Sequence, residues 1–152
     1  MKFSEKHDPL NIEDLKYFDE ENIIIPDDYK FFLIQYNGGR PENNCINFKD
    51  SNICTMLQTI FGFTKERYGS FTRYQGVYAG RIPSNTIAIA DDAGGNLIIM
   101  SVSGPDYGKI YFWDHEMEAY EDEEPDYSNL TLVADSFQEF IDNLKSVDEL
   151  ES

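Results

Sequence analysis

Basic residues are scarce in this sequence: 12 Lys and Arg stand against 29 Asp and Glu, a formal net charge of −17 and a sequence pI near 4.2. A field of that sign repels phosphate backbones and anionic headgroups, which argues against direct binding of nucleic acid or an acidic membrane and favours a basic protein partner. Plain solubility is the other use of such acidity. Cysteine is scarce too. Cys45 and Cys54 show no CxxC or Cys/His grouping, so neither a zinc site nor a redox motif is supported, and both read as reduced packing residues. No apolar run approaches the roughly 20 residues that cross a bilayer. The opening MKFSEKHDP lacks the apolar core of a signal peptide, so a cytoplasmic location is expected. Internal repeats, low-complexity linkers and composition breaks are also missing. The expectation is a single domain over residues 1–152, able to bury about two-thirds of its unfolded surface and needing no metal, disulfide or cofactor to fold.

What is present is organised around TIAIADDAGGNLIIMSVSGPDYGKIYFWDHE, residues 86–116. Three strand-length apolar bursts, 87–90, 97–100 and 110–113, are rich in β-branched or aromatic residues. The connectors carry Gly, Asn and Asp for positive φ, and Pro105 blocks strand continuation. This predicts a three-stranded antiparallel meander, too apolar to be wet on one face. Trp113 reads as core.

Helices are expected on either side in the sequence. Ile12, Leu15 and Phe18 have helical spacing, with Asn11 or Asp8 available as a cap. Pro26, Asp27 and Asp28 suit a helix start, and Gly38 suits a left-handed stop. Between them Tyr29, Phe32, Leu33 and Tyr36 form an apolar stripe that is the natural cover for the meander. Short strands are expected at 45–48, 53–57, 60–63 and 130–134. A weaker helix is expected over 70–79, and Ser136-Phe137-Gln138-Glu139 opens a last one with a capping box. The fold class is therefore α+β, a mainly antiparallel central sheet flanked by N-terminal helices and a C-terminal helix.

Two groups invite an enzymatic reading. Asp91-Asp92 before Gly94-Gly95 suggests a cation or phosphate loop, and Asp114-His115-Glu116 a metal triplet. Strand neighbours point to opposite faces, however, and no nucleophile stands beside a base in a recognisable motif. The glycines are better explained by a turn, with Asp91 or Asp92 bonding its amides. The reading is non-enzymatic. Residues 114–126, DHEMEAYEDEEPD, hold eight carboxylates and no Lys or Arg. Such a block repels itself and stays solvated unless a cationic surface relieves it, so it is either a partner-binding loop or a surface loop without a partner.

The run Ile25-Pro26-Asp27-Asp28-Tyr29-Lys30-Phe31-Phe32-Leu33, closing on Asn37-Gly38-Gly39-Arg40-Pro41, resembles the N-terminal signature of the SMI1/KNR4 family of the SUKH superfamily. Ile82-Pro83, the turn at 91–96, the aromatic strand at 110–115 and Ser136 with Phe137 and Phe140 continue the resemblance in order. Ala93 departs from the pattern, and the acidic run after His115 is longer than it requires. The resemblance implies a binding protein: in bacteria an immunity protein that inhibits a cognate toxin domain, often a nuclease, and in fungi a regulatory scaffold linked to cell-wall synthesis. A nucleic-acid-cleaving toxin needs a basic cleft, to which an acidic, aromatic-bearing loop is complementary. The expected contact residues are Asp114, Glu116, Glu118, Tyr120, Glu121, Asp122, Glu123 and Glu124, with Asp91 and Asp92 beside them; Tyr120, with Tyr127 as a second choice, would be the anchor.

Overall fold

Apolar bursts separated by turn chemistry become hydrogen-bonded neighbours in the structure, a computed structural model that describes residues 1–49 and 54–146. In chain order it runs β1 (Phe3–Lys6), a 3₁₀ turn (Ile12–Leu15) leading into α1 (Lys16–Glu20), α2 (Asp27–Tyr36), β2 (Gly39–Pro41), β3 (Cys45–Asn47), β4 (Cys54–Ile60) and α3 (Phe71–Tyr78). There follow β5 (Thr86–Asp92), β6 (Leu97–Ser101), β7 (Ile110–Trp113), a second 3₁₀ turn (His115–Met117), β8 (Leu130–Ala134) and α4 (Phe137–Asp142). The sheet order is β1-β2-β4-β5-β6-β7-β8, with β3 also paired to β4, and every ladder is antiparallel. The α+β architecture is the one expected.

Register sorts the meander into two rows. Leu97 pairs with Trp113 and Ile99 with Tyr111, while Ile98 pairs with Phe112 and Met100 with Ile110; alternation puts these sets on opposite faces. Both rows are shielded, since β5 and β6 are buried along their whole length. The α3 helix lies on the first face, where Tyr78 meets Trp113 edge-on at 5.6 Å and Tyr74 stacks on Phe61 at 3.9 Å. Gln75 fastens it by accepting from the Ala88 amide at 3.0 Å and donating to the Ala88 carbonyl at 2.6 Å. The α2 stripe is buried through Tyr29, Phe32 and Leu33. Its nearest ring partner is Phe137 of α4, 5.0 Å from both Tyr29 and Phe32, so the helices enter the core as a pair.

Three details depart from the sequence reading. The left-handed stop after α2 begins at Asn37, at φ 53°, one residue before the Gly38 expected, which is itself left-handed at φ 81°. Where two strands were expected, at 53–57 and 60–63, one strand, β4, runs from Cys54 through Ile60; residues 61–63 lie past its end, and Ile53 lies outside the described residues. Strands β1 and β2 were not anticipated; they pair with each other across more than 30 residues of sequence, and only Phe3 of β1 turns inward.

Candidate functional site

The turn between β5 and β6 is built on Asp92. Its Oδ1 accepts from the amides of Gly94 at 2.9 Å and Asn96 at 2.8 Å, and its Oδ2 accepts from the Thr55 hydroxyl at 2.8 Å and the Asn96 side-chain amide at 3.0 Å. Gly95 supplies the left-handed residue at φ 86°. Asp91 points to β4 and accepts from the Thr59 amide at 3.0 Å. At 9% and 4% exposure, Asp91 and Asp92 lie beneath the surface. They are structural acceptors and do not themselves present charge to a partner.

Asn96 links this turn to the acidic run. Its Oδ1 accepts the His115 amide at 3.0 Å, and the His115 ring Nε2 lies 2.9 Å from the Gly94 carbonyl oxygen. Strand β7 stops at Trp113, so Asp114 and His115 begin a 3₁₀ turn instead of continuing the strand. Asp114 caps that turn by accepting from the Glu116 amide at 3.0 Å. Glu118 is neutralised by Arg81, which reaches it with two bonds of 2.8 and 3.2 Å while lying 4.6 Å over the Tyr78 ring. The run therefore has a cation, brought from a distant segment with no local signal in the sequence.

Most of the other carboxylates of the run have no counter-charge among the described residues. Glu116, Glu121, Asp122, Glu123 and Glu124 are exposed, and none makes an ion pair among the described residues. Tyr120 is 78% exposed and Met117 67%. Tyr120 lines two neighbouring concavities of about 300 and 640 Å³, which share Glu118, Ala119 and Glu123. Met117, which sequence reasoning passed over, adds a second apolar side chain to this surface; an apolar residue inside an acidic block was the available signal.

The far end of the run is anchored at Asp106, read from sequence only as part of a turn. Its carboxyl oxygens accept from the hydroxyls of Tyr127 at 2.7 Å, Ser101 at 2.8 Å and Tyr111 at 2.9 Å. Burial works to raise the Asp106 pKa, but the three hydroxyls together hold it below the usual carboxylate value. Asn85 donates to the Tyr127 oxygen at 2.8 Å. Tyr127 is thus a fastening of the loop, its ring edge-on to Tyr111 at 5.3 Å.

Comparison with known proteins bears on what such a loop is for. The SMI1 / KNR4 family (SUKH-1) profile matches residues 9–143, which takes in both the α2 signature and the acidic run. The chain belongs to the SMI1/KNR4 family. It is also 33% identical over 142 residues to a protein of Bacillus subtilis (strain 168) described as SPbeta prophage-derived uncharacterized protein YokK, covering 82% of this chain and 68% of that one. No solved structure matches it. SMI1/KNR4 proteins are generally binding proteins and not enzymes.

In this SMI1/KNR4 chain the groups that invited an enzymatic reading have other employment. Among the described residues no group of three or more His, Cys, Asp and Glu is placed to hold a metal ion, and no helix is long and apolar enough to cross a membrane. Asp91 is the exception in its titration. Burial, and secondarily the Asp92 charge, push its pKa up to about 6 against the pull of the Thr59 amide. Between its unfolded value of about 3.9 and the folded value, the native state holds a proton that the unfolded state has released. This contribution to stability is therefore full below about pH 4 and is lost as pH rises towards 6, an effect of about 2 to 3 kcal/mol. Asp91→Asn, which keeps an acceptor for Thr59, should gain on the wild type between pH 4.5 and 7.5 in denaturant unfolding. A gap independent of pH would contradict this assignment.

Proposed function

We propose that this protein is an immunity-type binding protein that neutralises a cognate toxin domain, of nuclease type, through the acidic loop. The observation that carries the reading is the set of exposed carboxylates without ion pairs around Tyr120 and Met117. Carboxylates held without counter-charges attract a basic cleft over a distance, whereas two exposed apolar side chains supply contact once it has arrived. The contact residues are Tyr120, Met117, Glu116, Glu121, Asp122, Glu123 and Glu124. Asp114 and the Arg81-paired Glu118 shape the loop, and Asp91 and Asp92 support it from below. The family supports a binding role, and the prophage origin of the Bacillus subtilis relative fits a mobile toxin locus better than a cell-wall scaffold.

The test is binding kinetics, at two salt concentrations, against the toxin domain encoded beside this gene. Changing Glu121, Asp122, Glu123 and Glu124 to Gln or Asn should slow association about tenfold at low salt and flatten its salt dependence. Tyr120→Ala should leave association nearly unchanged and speed dissociation by about 30-fold, the equivalent of roughly 2 kcal/mol for an interface anchor. Both variants should keep the wild-type melting temperature. An unchanged association rate and salt response in the neutralised variant would reduce the loop to a solubility feature.

A further inference from the structure

The two cysteines do not behave as a pair of packing residues. Cys45 is buried at 2% exposure, whereas Cys54 is exposed. Cys45 pairs with Met56 and Asn47 with Cys54, so the two cysteines are diagonal neighbours on one face of the β3–β4 ladder. The Cys45 thiol donates to the Cys54 sulfur at 3.5 Å. We propose that Cys45 and Cys54 are a thiol oxidation site, closing to a reversible intramolecular disulfide when the protein meets a peroxide.

Bonding distance for sulfur is about 2.05 Å, so the pair must approach by roughly 1.5 Å; for diagonal neighbours about 7 Å apart this takes side-chain rotation together with a small backbone shift. The asymmetry of exposure assigns the roles. Cys54, open to solvent, attacks one peroxide oxygen; the O–O bond breaks, the other oxygen leaves as water, and Cys54 becomes a sulfenic acid. Cys45 then attacks the Cys54 sulfur, forming the S–S bond as the S–O bond breaks, and its proton leaves with the hydroxide as a second water. Two thiols are oxidised and one peroxide is reduced, with nothing left over. Burial, with the bond to Cys54, holds the Cys45 thiol up at about 11, so it stays protonated and is not the cysteine that meets peroxide first. The bond would span the eight residues between the cysteines in sequence and fasten β3, whose Cys45 also exchanges both backbone bonds with Lys145 at 2.9 and 3.0 Å.

The experiment is intact mass spectrometry of the full chain after stoichiometric hydrogen peroxide. The wild type should lose about 2 Da, lose both titratable thiols on denaturation, and recover them with dithiothreitol. Cys45→Ser, or Cys45→Ala if the first folds poorly, should instead gain about 16 or 32 Da, as unresolved Cys54 climbs the oxidation ladder. Cys54→Ser should consume peroxide at least tenfold more slowly than the wild type. Gain of oxygen or covalent dimerisation in the wild type, without the 2 Da loss, would overturn the proposal.

Discussion

Asn37→Ala is expected to lose about 3 to 5 kcal/mol of stability, a large share of the roughly 5 to 15 kcal/mol that holds a domain folded. The Asn37 side chain has no exposure at all. Its amide donates to the carbonyls of Asp8 and Phe63 at 2.9 Å each, and its oxygen accepts from the Phe63 amide at 2.8 Å. One residue thus ties the end of α2 to the segment after β1 and to the segment after β4. Truncation strands three backbone groups and also places alanine at φ 53°, which adds about 1 to 2 kcal/mol of strain. Asn37→Gly separates the two effects: it should recover about 1 kcal/mol over alanine and remain far below wild type. Gly62→Ala attacks the same knot from the other side, since a Cβ there would collide with the Asn37 carbonyl. Denaturant unfolding measures all three. An Asn37→Ala variant within 1 kcal/mol of wild type would refute this role.

Asp92→Ala should cost about 2 to 4 kcal/mol, because four donors converge on a carboxyl group that is 4% exposed. Asp92→Asn should cost less. It keeps Oδ1 for the two amides and can donate to the Thr55 oxygen, losing only the bond from the Asn96 side chain. The alanine variant should also loosen the start of the acidic loop, since Asn96 presents its oxygen to the His115 amide. Cleavage by a glutamate-specific protease, well below the melting temperature, should be faster in residues 114–126 of Asp92→Ala than in wild type or Asp92→Asn. Equal cleavage in all three would mean that the turn and the loop are mechanically independent.

The elements legible in the sequence are those whose signals are local. The bursts of β5 to β7, the stripe of α2, the Ser136 cap and the turn around Gly95 each follow from periodicity or φ preference within about ten residues, and each folds as read. Strand β1 lacked such a signal: with Phe3 its only inward residue, it is a strand because β2 offers it an edge. The division of β4 into two strands likewise reflected composition, whereas its continuity is set by pairing first with β3 and then with β5.

The candidate site divides along the same line. Sequence alone determined that residues 114–126 are acidic and solvated, that Tyr120 stands among them, and that a motif set spread over the chain resembles one family, because charge and residue order need no fold to be read. Only the tertiary structure decided which carboxylates are free. It sank Asp91 and Asp92 under the surface, gave Glu118 to Arg81, tied Tyr127 to Asp106, and set Cys45 within 3.5 Å of Cys54. Each of these depends on which strand lies beside which and on what then covers it, and burial and counter-charge arise between segments far apart in the chain.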